Sequence, residues 1–329
     1  MSTLVQPYTE SLQAAAQFIR EGDDFLVVSH LSPDGDAISS TSAIGLILES
    51  LGKRYRLINE GRTPDKYRLL LAHQPISDYS SDEPKERFER VISVDCADYA
   101  RIGNVHRLFA EGVQLLNIDH HPTNDHFGAV NLIRTDAAAT VEIIYELAVA
   151  LEVNWTKPLA NCVYAGLLTD TGGFRYSNTT SNVLAVAERM LRQGAEGAML
   201  SERLLETMTY AQIQLLREAL ATMSFTDDRR IAWMCVSASL IASLGANDED
   251  TEGLVNLPRN VEGVEVGMLF KQRNELTVKV SLRSAGKVDV SQIAKRFGGG
   301  GHVRASGCTV TGEIDDIVQK FVEAVNAEL

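Results

Sequence analysis

Short apolar runs alternate with longer helical patterns through the first half of the chain. Four runs of β-branched and aliphatic residues predict strands, namely DFLVVSH (24–30), KRYRLIN (53–59), RVISVDC (90–96) and VQLLNIDHH (113–121). Three longer segments predict helices, namely AISSTSAIGLILESLG (37–52), ATVEIIYELAVALEV (139–153) and PLANCVYAGLLTDT (158–171). Strands that are apolar throughout and alternate with helices predict an α/β fold whose parallel sheet is covered on both faces.

The pattern changes in the second half of the chain. A helical stretch runs from about Ser181 to Thr222, and strand patterns return after Ser224. VEVGMLFKQ (264–272) and ELTVKVSLR (275–283) flank Arg273-Asn274, which predicts a hairpin with its turn at these two residues. The prediction is therefore an α/β domain over 1–190, a helical linker over 191–222 and a smaller α/β domain over 223–329.

Composition places the chain among ordinary globular proteins. Its 329 residues are 45% hydrophobic and 23% charged, and this length suffices for two domains. No apolar run reaches the roughly 18 residues of a membrane span, and the N-terminus lacks the pattern of a secretory signal. The four cysteines contain no CxxC pair, so we expect reduced thiols, no zinc–thiolate site and a cytoplasmic protein.

The net charge of −13 limits the partners that the chain can bind. An acidic surface repels long polyanions, so we expect no binding of long duplex nucleic acid. Small phosphate-containing substrates remain compatible with the charge if the protein offers a local cationic pocket. The acidic loop NDEDTEG (247–253) is interpreted as a solvated surface segment.

Metal-binding residue types stand where three of the predicted strands end. They are His30, with Asp34 and Asp36 in the turn behind it, then Asp95, and then Asp119, His120 and His121. Loops at the carboxyl ends of parallel strands converge on one crevice, so we expect these four carboxylates and three imidazoles to meet.

Such a cluster is expected to hold divalent cations. Unpaired charge in a crevice is costly, and neighbouring carboxylates stay ionised only when something positive lies between them. A single histidine or aspartate at a strand end is usually a cap, and Pro-Asp-Gly alone forms tight turns. The three strand ends together instead favour two ions, with Mn²⁺ suited to imidazole and carboxylate, and Mg²⁺, Fe²⁺ or Co²⁺ as alternatives.

Five segments in order resemble the motifs of a known family. They are HLSPDGDA (30–37), VDCAD (94–98), NIDHHPTN (117–124), LLTDTGGFRYSNT (167–179) and FGGGGHVRASG (297–307). They resemble the DHH phosphoesterase superfamily, and within it the DHH–DHHA1 branch that contains bifunctional oligoribonucleases (nano-RNases) and pAp phosphatases. The resemblance implies a catalytic metal-binding DHH domain over 1–190 and a substrate-binding DHHA1 domain over 223–329.

The resemblance also implies roles for individual residues. Two ligand sets share one bridging carboxylate: His30, Asp34 and Asp95 for one ion, and Asp36, Asp95, His120 and Asp170 for the other. Asp170, inside a predicted helix, comes from the resemblance alone. Asp119 is expected to orient a neighbouring residue, and His121 is expected to face the scissile phosphate or the leaving oxygen. Asp95, Asp119 and His121 are thus the predicted catalytic residues.

A second predicted site lies near the C-terminus. Residues 271–304 carry eight basic and two acidic side chains, a local net charge of 8 − 2 = +6 in a chain of −13. Glycines 298–301 would let backbone N–H groups approach an anion. The resemblance implies that Arg283, Gly300, Gly301 and His302 bind the terminal phosphate of the substrate, together with His121. The sequence assigns no contact to Arg175, Asn178, Arg259 or Arg304.

The implied function is metal-dependent hydrolysis of short oligoribonucleotides to mononucleotides and of pAp to AMP, and the resemblance implies a homodimer. Two alternatives stay open. The same site could cleave pApA or a cyclic dinucleotide. A non-catalytic nucleotide sensor would keep the fold, but loss of a metal ligand would mark it, and all six expected ligands are present.

Overall fold

The computed structural model describes residues 8–71, 75–81 and 86–329. They form two compact units, Met1–Thr207 and Met208–Leu329. The predicted limits of the linker at 191 and 222 stay predictions. His73, interpreted from the sequence as a surface or capping histidine, lies outside the described residues.

The described part of the N-terminal unit contains six strands and six α-helices. The strands are β1 (Phe25–Val28), β2 (Tyr55–Asn59), β3 (Ser77–Asp78), β4 (Phe88–Val94), β5 (Phe109–Asp119) and β6 (Val130–Ile133). The helices are α1 (Tyr8–Glu21), α2 (Gly35–Ser50), α3 (Thr140–Ala150), α4 (Lys157–Asp170), α5 (Ser181–Arg192) and α6 (Gly197–Ser201). Segments of 3₁₀ helix span Asp65–Leu70 and Tyr99–Leu108, and a π-helical turn spans Glu202–Glu206.

The six strands form one parallel sheet in the order β3-β2-β1-β4-β5-β6. This is a doubly wound order, in which the direction of winding reverses between β1 and β4. The predicted α/β class and parallel sheet are confirmed, as are the four strands and three helices predicted in this unit. Helix α1 was not predicted. The short strands β3 and β6 were not predicted either, because a strand of two or four residues gives too short a pattern.

Local sequence explains where the helices beside this sheet begin. The side chain of Asp34 accepts a hydrogen bond from the backbone of Ala37 at 3.1 Å and thereby caps α2. Thr156 caps α4 in the same way, and a proline follows in the first turn of that helix. Helix α2 ends just before Gly52, whose φ of 69° suits glycine.

The C-terminal unit contains a second sheet and five α-helices. The strands are β7 (Ser224–Phe225), β8 (Ile231–Val236), β9 (Val266–Asn274), β10 (Thr277–Ser284), β11 (Gly300–His302) and β12 (Ala305–Thr311). The helices are α7 (Tyr210–Ala221), α8 (Ala238–Ser243), α9 (Asn256–Arg259), α10 (Val290–Arg296) and α11 (Ile314–Asn326). The strand order is β11-β12-β10-β9-β8-β7, with β8 and β9 parallel and the other neighbours antiparallel, so the sheet is mixed.

The two faces of the second sheet are covered differently. Helices α10 and α11 cover one face, where Phe321 stacks on Phe297 at a centroid distance of 4.0 Å. On the other face, Leu215 of α7 packs against Met234 and Leu269 of strands β8 and β9. On that face Lys279 of β10 is exposed, and Arg283 is partly exposed. One side of this sheet therefore keeps a solvent-accessible area around β10.

The predicted hairpin is present, but its predicted turn position is wrong. Strand β9 continues through Arg273 and Asn274, and the turn is formed by Glu275 and Leu276. The side chain of Asn274 accepts a hydrogen bond from the backbone of Leu276 at 3.1 Å. An asparagine that caps its own turn in this way stands before the turn, which explains the shift of two residues.

The acidic loop over 247–253 is not merely solvated. Asp248 accepts a hydrogen bond from Lys271 at 3.0 Å and another from Arg273 at 3.3 Å. Asp250 is buried and accepts a hydrogen bond from Thr209 at 2.6 Å. Two of the eight basic side chains counted over 271–304 therefore pair with this loop, and Lys271 is itself buried.

Two further properties follow from the described residues. Among them, no helix is both long enough and apolar enough to cross a membrane. All four cysteines are free thiols, and three of them, Cys96, Cys162 and Cys308, are buried.

Candidate metal centre

The candidate centre lies at the carboxyl edge of the first sheet, where the winding reverses. His30 follows β1 by two residues, and Asp95 directly follows the neighbouring strand β4. Both side chains are buried. Asp95 has a φ of 55°, a left-handed conformation that costs a non-glycine residue about 1–2 kcal/mol. Backbone strain of this kind is concentrated at functional sites, where the surrounding structure enforces it.

A first group consists of His30, Asp34 and Asp95 and is centred on the Nε2 atom of His30. This atom lies 3.6 Å from Oδ2 of Asp95 and 3.9 Å from Oδ1 of Asp34. The Nδ1 atom of His30 contacts the backbone carbonyl of Leu31 at 2.8 Å, which directs Nε2 towards the carboxylates.

A second group surrounds the Nε2 atom of His120. This atom lies 3.7 Å from Oδ1 of Asp95 and 3.5 Å from Oδ2 of Asp170. Donor atoms of Asp36, His120 and Asp170 all lie within 4.8 Å of one another. The two oxygens of Asp95 thus face different groups, the arrangement expected of a bridging carboxylate. The structure brings together all six residues predicted as ligands.

The donor set fits divalent cations. The four distances of 3.5–3.9 Å exceed ordinary hydrogen bonds, whereas two ligands about 2.1 Å from one ion lie up to about 4.2 Å apart. Desolvation, followed by the charges of Asp95 and Asp34, raises the pKa of Asp36 well above its ordinary value. Desolvation, followed by Asp36, Asp34 and Asp95, does the same to the pKa of Asp170. Without cations, protons neutralise part of this charge.

Hydrogen bonds to histidines shift other pKa values in the cluster. Burial alone would raise the pKa of Asp95, but its contact with His30 and the nearby imidazoles hold that pKa well below the usual range. Burial alone would lower the pKa of His30, yet the contact with Asp95 raises it. His121 behaves in the same way because Asp119 and Asp95 outweigh its burial.

One backbone segment, residues 137–141 at the start of α3, holds three of the predicted ligands. The backbone N–H groups of Thr140 and Val141 donate to the two oxygens of Asp36 at 2.6 and 3.2 Å. The hydroxyl of Thr140 donates to Oδ1 of Asp95 at 3.0 Å. The carbonyl of Ala137 contacts Nδ1 of His120 at 3.2 Å. This segment was not predicted, because DAAAT (136–140) carries no local pattern that indicates such contacts.

Close packing of α4 on α2 places the remaining ligands. A Cβ atom at Gly166 of α4 would lie 2.7 Å from Oδ1 of Asp36 and 2.5 Å from Val141. Only glycine therefore allows α4 to approach the buried carboxylate this closely. Asp170 is the last residue of that helix, one turn further along, and so points to the same centre.

The third residue of the Asp-His-His triplet is held by the first. Asp119 is fully buried, and its Oδ1 lies 2.7 Å from Nδ1 of His121. Its other oxygen accepts a hydrogen bond from Asn124 at 2.6 Å. This geometry agrees with the orienting role expected for Asp119, which stays a proposal. Asn124 was quoted within a motif but was given no role by the sequence analysis.

In the C-terminal unit, strand register brings three of the four predicted substrate residues of this unit, all but Gly301, to one face. Arg283 pairs with Ala305, and Ala305 pairs with His302, so these residues form one row across β10, β12 and β11. Directly paired residues share a face, and two strand spacings separate Arg283 from His302 by about 10 Å. Gly300 shares that face, whereas Gly301 pairs with Ser306 on the opposite face.

The residues without an assigned contact have local partners. Asn178 donates to the carbonyls of Ala138 and Asp170 at 3.3 and 3.2 Å and so joins the two segments beside the centre. Arg175 donates to the carbonyl of Gly172 at 2.5 Å.

Two arginines of the C-terminal unit to which the sequence assigned no contact, Arg259 and Arg304, also pack against glycines. The guanidinium of Arg304 lies against Gly286, and the backbone of Arg259 lies against Gly267. Each contact describes packing and indicates no role in substrate binding.

Comparison with known proteins shows the family. The DHH family N-terminal domain matches residues 24–167, and the DHHA1 domain matches residues 234–329. The bifunctional oligoribonuclease and PAP phosphatase of Thermus thermophilus is 35% identical over 98% of this chain and 95% of that protein. Its Bacillus subtilis counterpart is 28% identical over 88% of this chain and 90% of that protein.

A solved structure gives the same fold. The crystal structure of an exopolyphosphatase-related protein from Bacteroides fragilis matches with a TM-score of 0.90 at 24% identity, covering 99% of this chain and 98% of that one. Fold and site together define a phosphoesterase-type α/β protein with a second domain built on a mixed sheet. This chain belongs to the DHH family and carries the DHHA1 domain at its C-terminus. The resemblance indicated by the five motifs is confirmed.

The hydroxyl of Thr140 should strengthen metal binding. Thr140→Val removes the hydrogen bond to Asp95 with little change in volume, and loss of such an outer contact typically costs about 10- to 100-fold in affinity. We expect a weakening of this size in Mn²⁺ titration calorimetry of chelator-treated protein. Thr140→Ser keeps the hydroxyl and should bind as the wild type does. Equal affinities for the valine variant and the wild type would contradict the role of Thr140.

Stability of the chelator-treated protein should fall as pH rises from about 5.5 to 8. Asp36 and Asp170 have raised pKa values, so the folded state keeps protons that the unfolded state releases, and His30 and His121 act in the same direction. The lowered pKa of Asp95 matters only in more acidic solution.

Thermal unfolding across this range, with chelator and with Mn²⁺, checks the expectation. Mn²⁺ should raise Tm more at the higher pH, because fewer protons compete for the carboxylates. A chelated protein that gains stability with rising pH would contradict the charge balance inferred for the cluster.

Proposed function

We propose that this chain is a metal-dependent phosphoesterase that hydrolyses short oligoribonucleotides stepwise to mononucleotides and removes the 3′-phosphate of pAp. The observation that carries the proposal is that the two groups of carboxylates and imidazoles, one around His30 and one around His120, share the carboxylate of Asp95. The names of the Thermus thermophilus and Bacillus subtilis relatives, both bifunctional oligoribonucleases and PAP phosphatases, support these substrates.

Two divalent cations fit this donor set, and Mn²⁺ suits it best because imidazole and carboxylate are present without thiolate. His30, Asp34 and Asp95 would hold one ion. Asp36, Asp95, His120 and Asp170 would hold the other. Cations at such a site act as Lewis acids on phosphoryl oxygens and activate water for attack at phosphorus.

The protein's own side chains would complete the site. His121, oriented by Asp119, would donate a hydrogen bond to a phosphoryl oxygen or to the leaving oxygen as negative charge develops there. Arg283 and His302 would bind a phosphate of the substrate on the open face of the second sheet. Arginine suits this role because its fork of N–H groups matches phosphate oxygens.

Substrate size follows from charge. The chain's net charge of −13 disfavours long polyanions, so we propose short single strands and small nucleotides as substrates and no binding of long duplexes.

We also propose a homodimer in the cytoplasm. Light scattering coupled to gel filtration measures the mass of the assembly, and a monomer would refute the dimer.

Assays on a panel of candidate substrates test the proposed function. With Mn²⁺, we expect mononucleotides from 5′-labelled RNA of two to five nucleotides and inorganic phosphate from pAp. Asp95→Asn should abolish both activities and weaken Mn²⁺ binding, because the bridging carboxylate is lost. Hydrolysis of pApA or a cyclic dinucleotide alone would favour the alternative phosphodiesterase, and binding without turnover would favour a nucleotide sensor.

Arg283→Ala should raise KM rather than lower metal affinity. Loss of a charge-assisted hydrogen bond of about 1.5–3 kcal/mol corresponds to a rise of about 10- to 150-fold. Lys295→Ala is the matched control, because Lys295 is an exposed cation on α10 of the same unit. Steady-state kinetics and Mn²⁺ calorimetry measure both quantities. A collapse of Mn²⁺ binding in Arg283→Ala would contradict the division of roles between the two units.

A further inference from the structure

Asn124 lies in the loop after the Asp-His-His triplet and uses both ends of its amide. Its Nδ2 donates to Oδ2 of Asp119 at 2.6 Å and to the carbonyl of Cys96 at 3.1 Å. Its Oδ1 accepts from Nδ2 of Asn117 at 3.0 Å and from the backbone of His126 at 2.8 Å. These contacts join the ends of β4 and β5 to the loop and fix the amide group in one orientation.

The contact with Asp119 extends this order to an imidazole. Asp119 is fully buried and divides its oxygens, one facing Asn124 and the other facing Nδ1 of His121 at 2.7 Å. A carboxylate held by two donors in different directions has little freedom to rotate. A hydrogen bond from a ring nitrogen to a fixed carboxylate sets the orientation of the imidazole.

We propose that Asn124 is a positioning residue that fixes the ring of His121 by way of Asp119. The proposal rests on the proposed function, because His121 is the side chain expected to face the substrate phosphate. In this arrangement Asn124 touches no substrate. Its contribution is the fixed orientation of the His121 ring at the start of each turnover.

A second asparagine, at the start of β6, contacts the end of the same loop and separates this role from simple loop stabilisation. Asn131 accepts a hydrogen bond from the backbone of Gly128 at 3.0 Å and donates one to its carbonyl at 2.7 Å. Its side chain therefore shapes the loop through Gly128 rather than through Asp119. Asn131→Ala is the matched control for damage to the loop.

Two variants of Asn124 probe the donor. Asn124→Ala removes all the side-chain contacts, whereas Asn124→Asp keeps the acceptor for Asn117 and His126 but replaces the N–H donor to Asp119 with a carboxylate oxygen. We expect kcat for a dinucleotide to fall by about 10- to 100-fold in both variants, with KM and Mn²⁺ affinity close to wild type. Asn131→Ala should keep the wild-type kcat.

A double-mutant cycle shows whether the effect passes through His121. In the His121→Ala background, Asn124→Ala should lower kcat no further, because the ring that it orients is gone. An equal loss in both backgrounds would overturn the proposal and leave a structural role. Wild-type kcat in Asn124→Asp would also overturn it.

A spectroscopic measurement tests the proposal without turnover. In chelator-treated protein with ¹⁵N-labelled histidine, the ring signals of His121 are those that vanish in His121→Ala. They should shift in both Asn124 variants and stay in place in Asn131→Ala. Unchanged signals in the Asn124 variants would overturn the proposal. If the wild type hydrolysed none of the substrates, the proposed function would fail while this measurement still decided the role of Asn124.

Discussion

Repulsion among buried carboxylates at one edge of a parallel sheet is the constraint on which the N-terminal unit depends. Asp36 and Asp170 are pushed towards their protonated forms, while Asp95 stays ionised because imidazoles surround it. A fold meets this cost only when positive charge of the right geometry completes the cluster. The charge of the cluster is therefore balanced only when cations are bound, and the protein alone balances it only in part.

The surrounding architecture keeps the acids together despite that repulsion. The doubly wound order places β1 and β4 side by side, so His30 and Asp95 meet without long loops. Backbone N–H groups of residues 140 and 141 compensate Asp36, and Gly166 allows α4 to come close to it. Each of the six predicted ligands lies within a helix or within two residues of the end of a helix or strand, which favours precise ligand geometry.

The sequence was sufficient for the strand-end residues because a parallel sheet gathers its carboxyl ends in one place. Asp170 required a family resemblance, since it ends a helix and no strand pattern points to it. Thr140 and Asn124 were missed for a different reason. Thr140 contacts Asp36 and Asp95 across 104 and 45 positions of sequence, and no local pattern encodes such pairs. The hairpin turn was misplaced because Asn274 initiates a turn from within the strand.

The position of α3 and α4 along the chain has a consequence for biosynthesis. A ribosome makes His30, Asp95 and the Asp-His-His triplet first, whereas Thr140 and Asp170 follow only after β6. Domains fold as units while synthesis proceeds, from the N-terminus onward. A nascent chain that stops before residue 140 lacks both the amides that compensate Asp36 and the last carboxylate. The complete set of donor side chains therefore exists only after α4 has been synthesised.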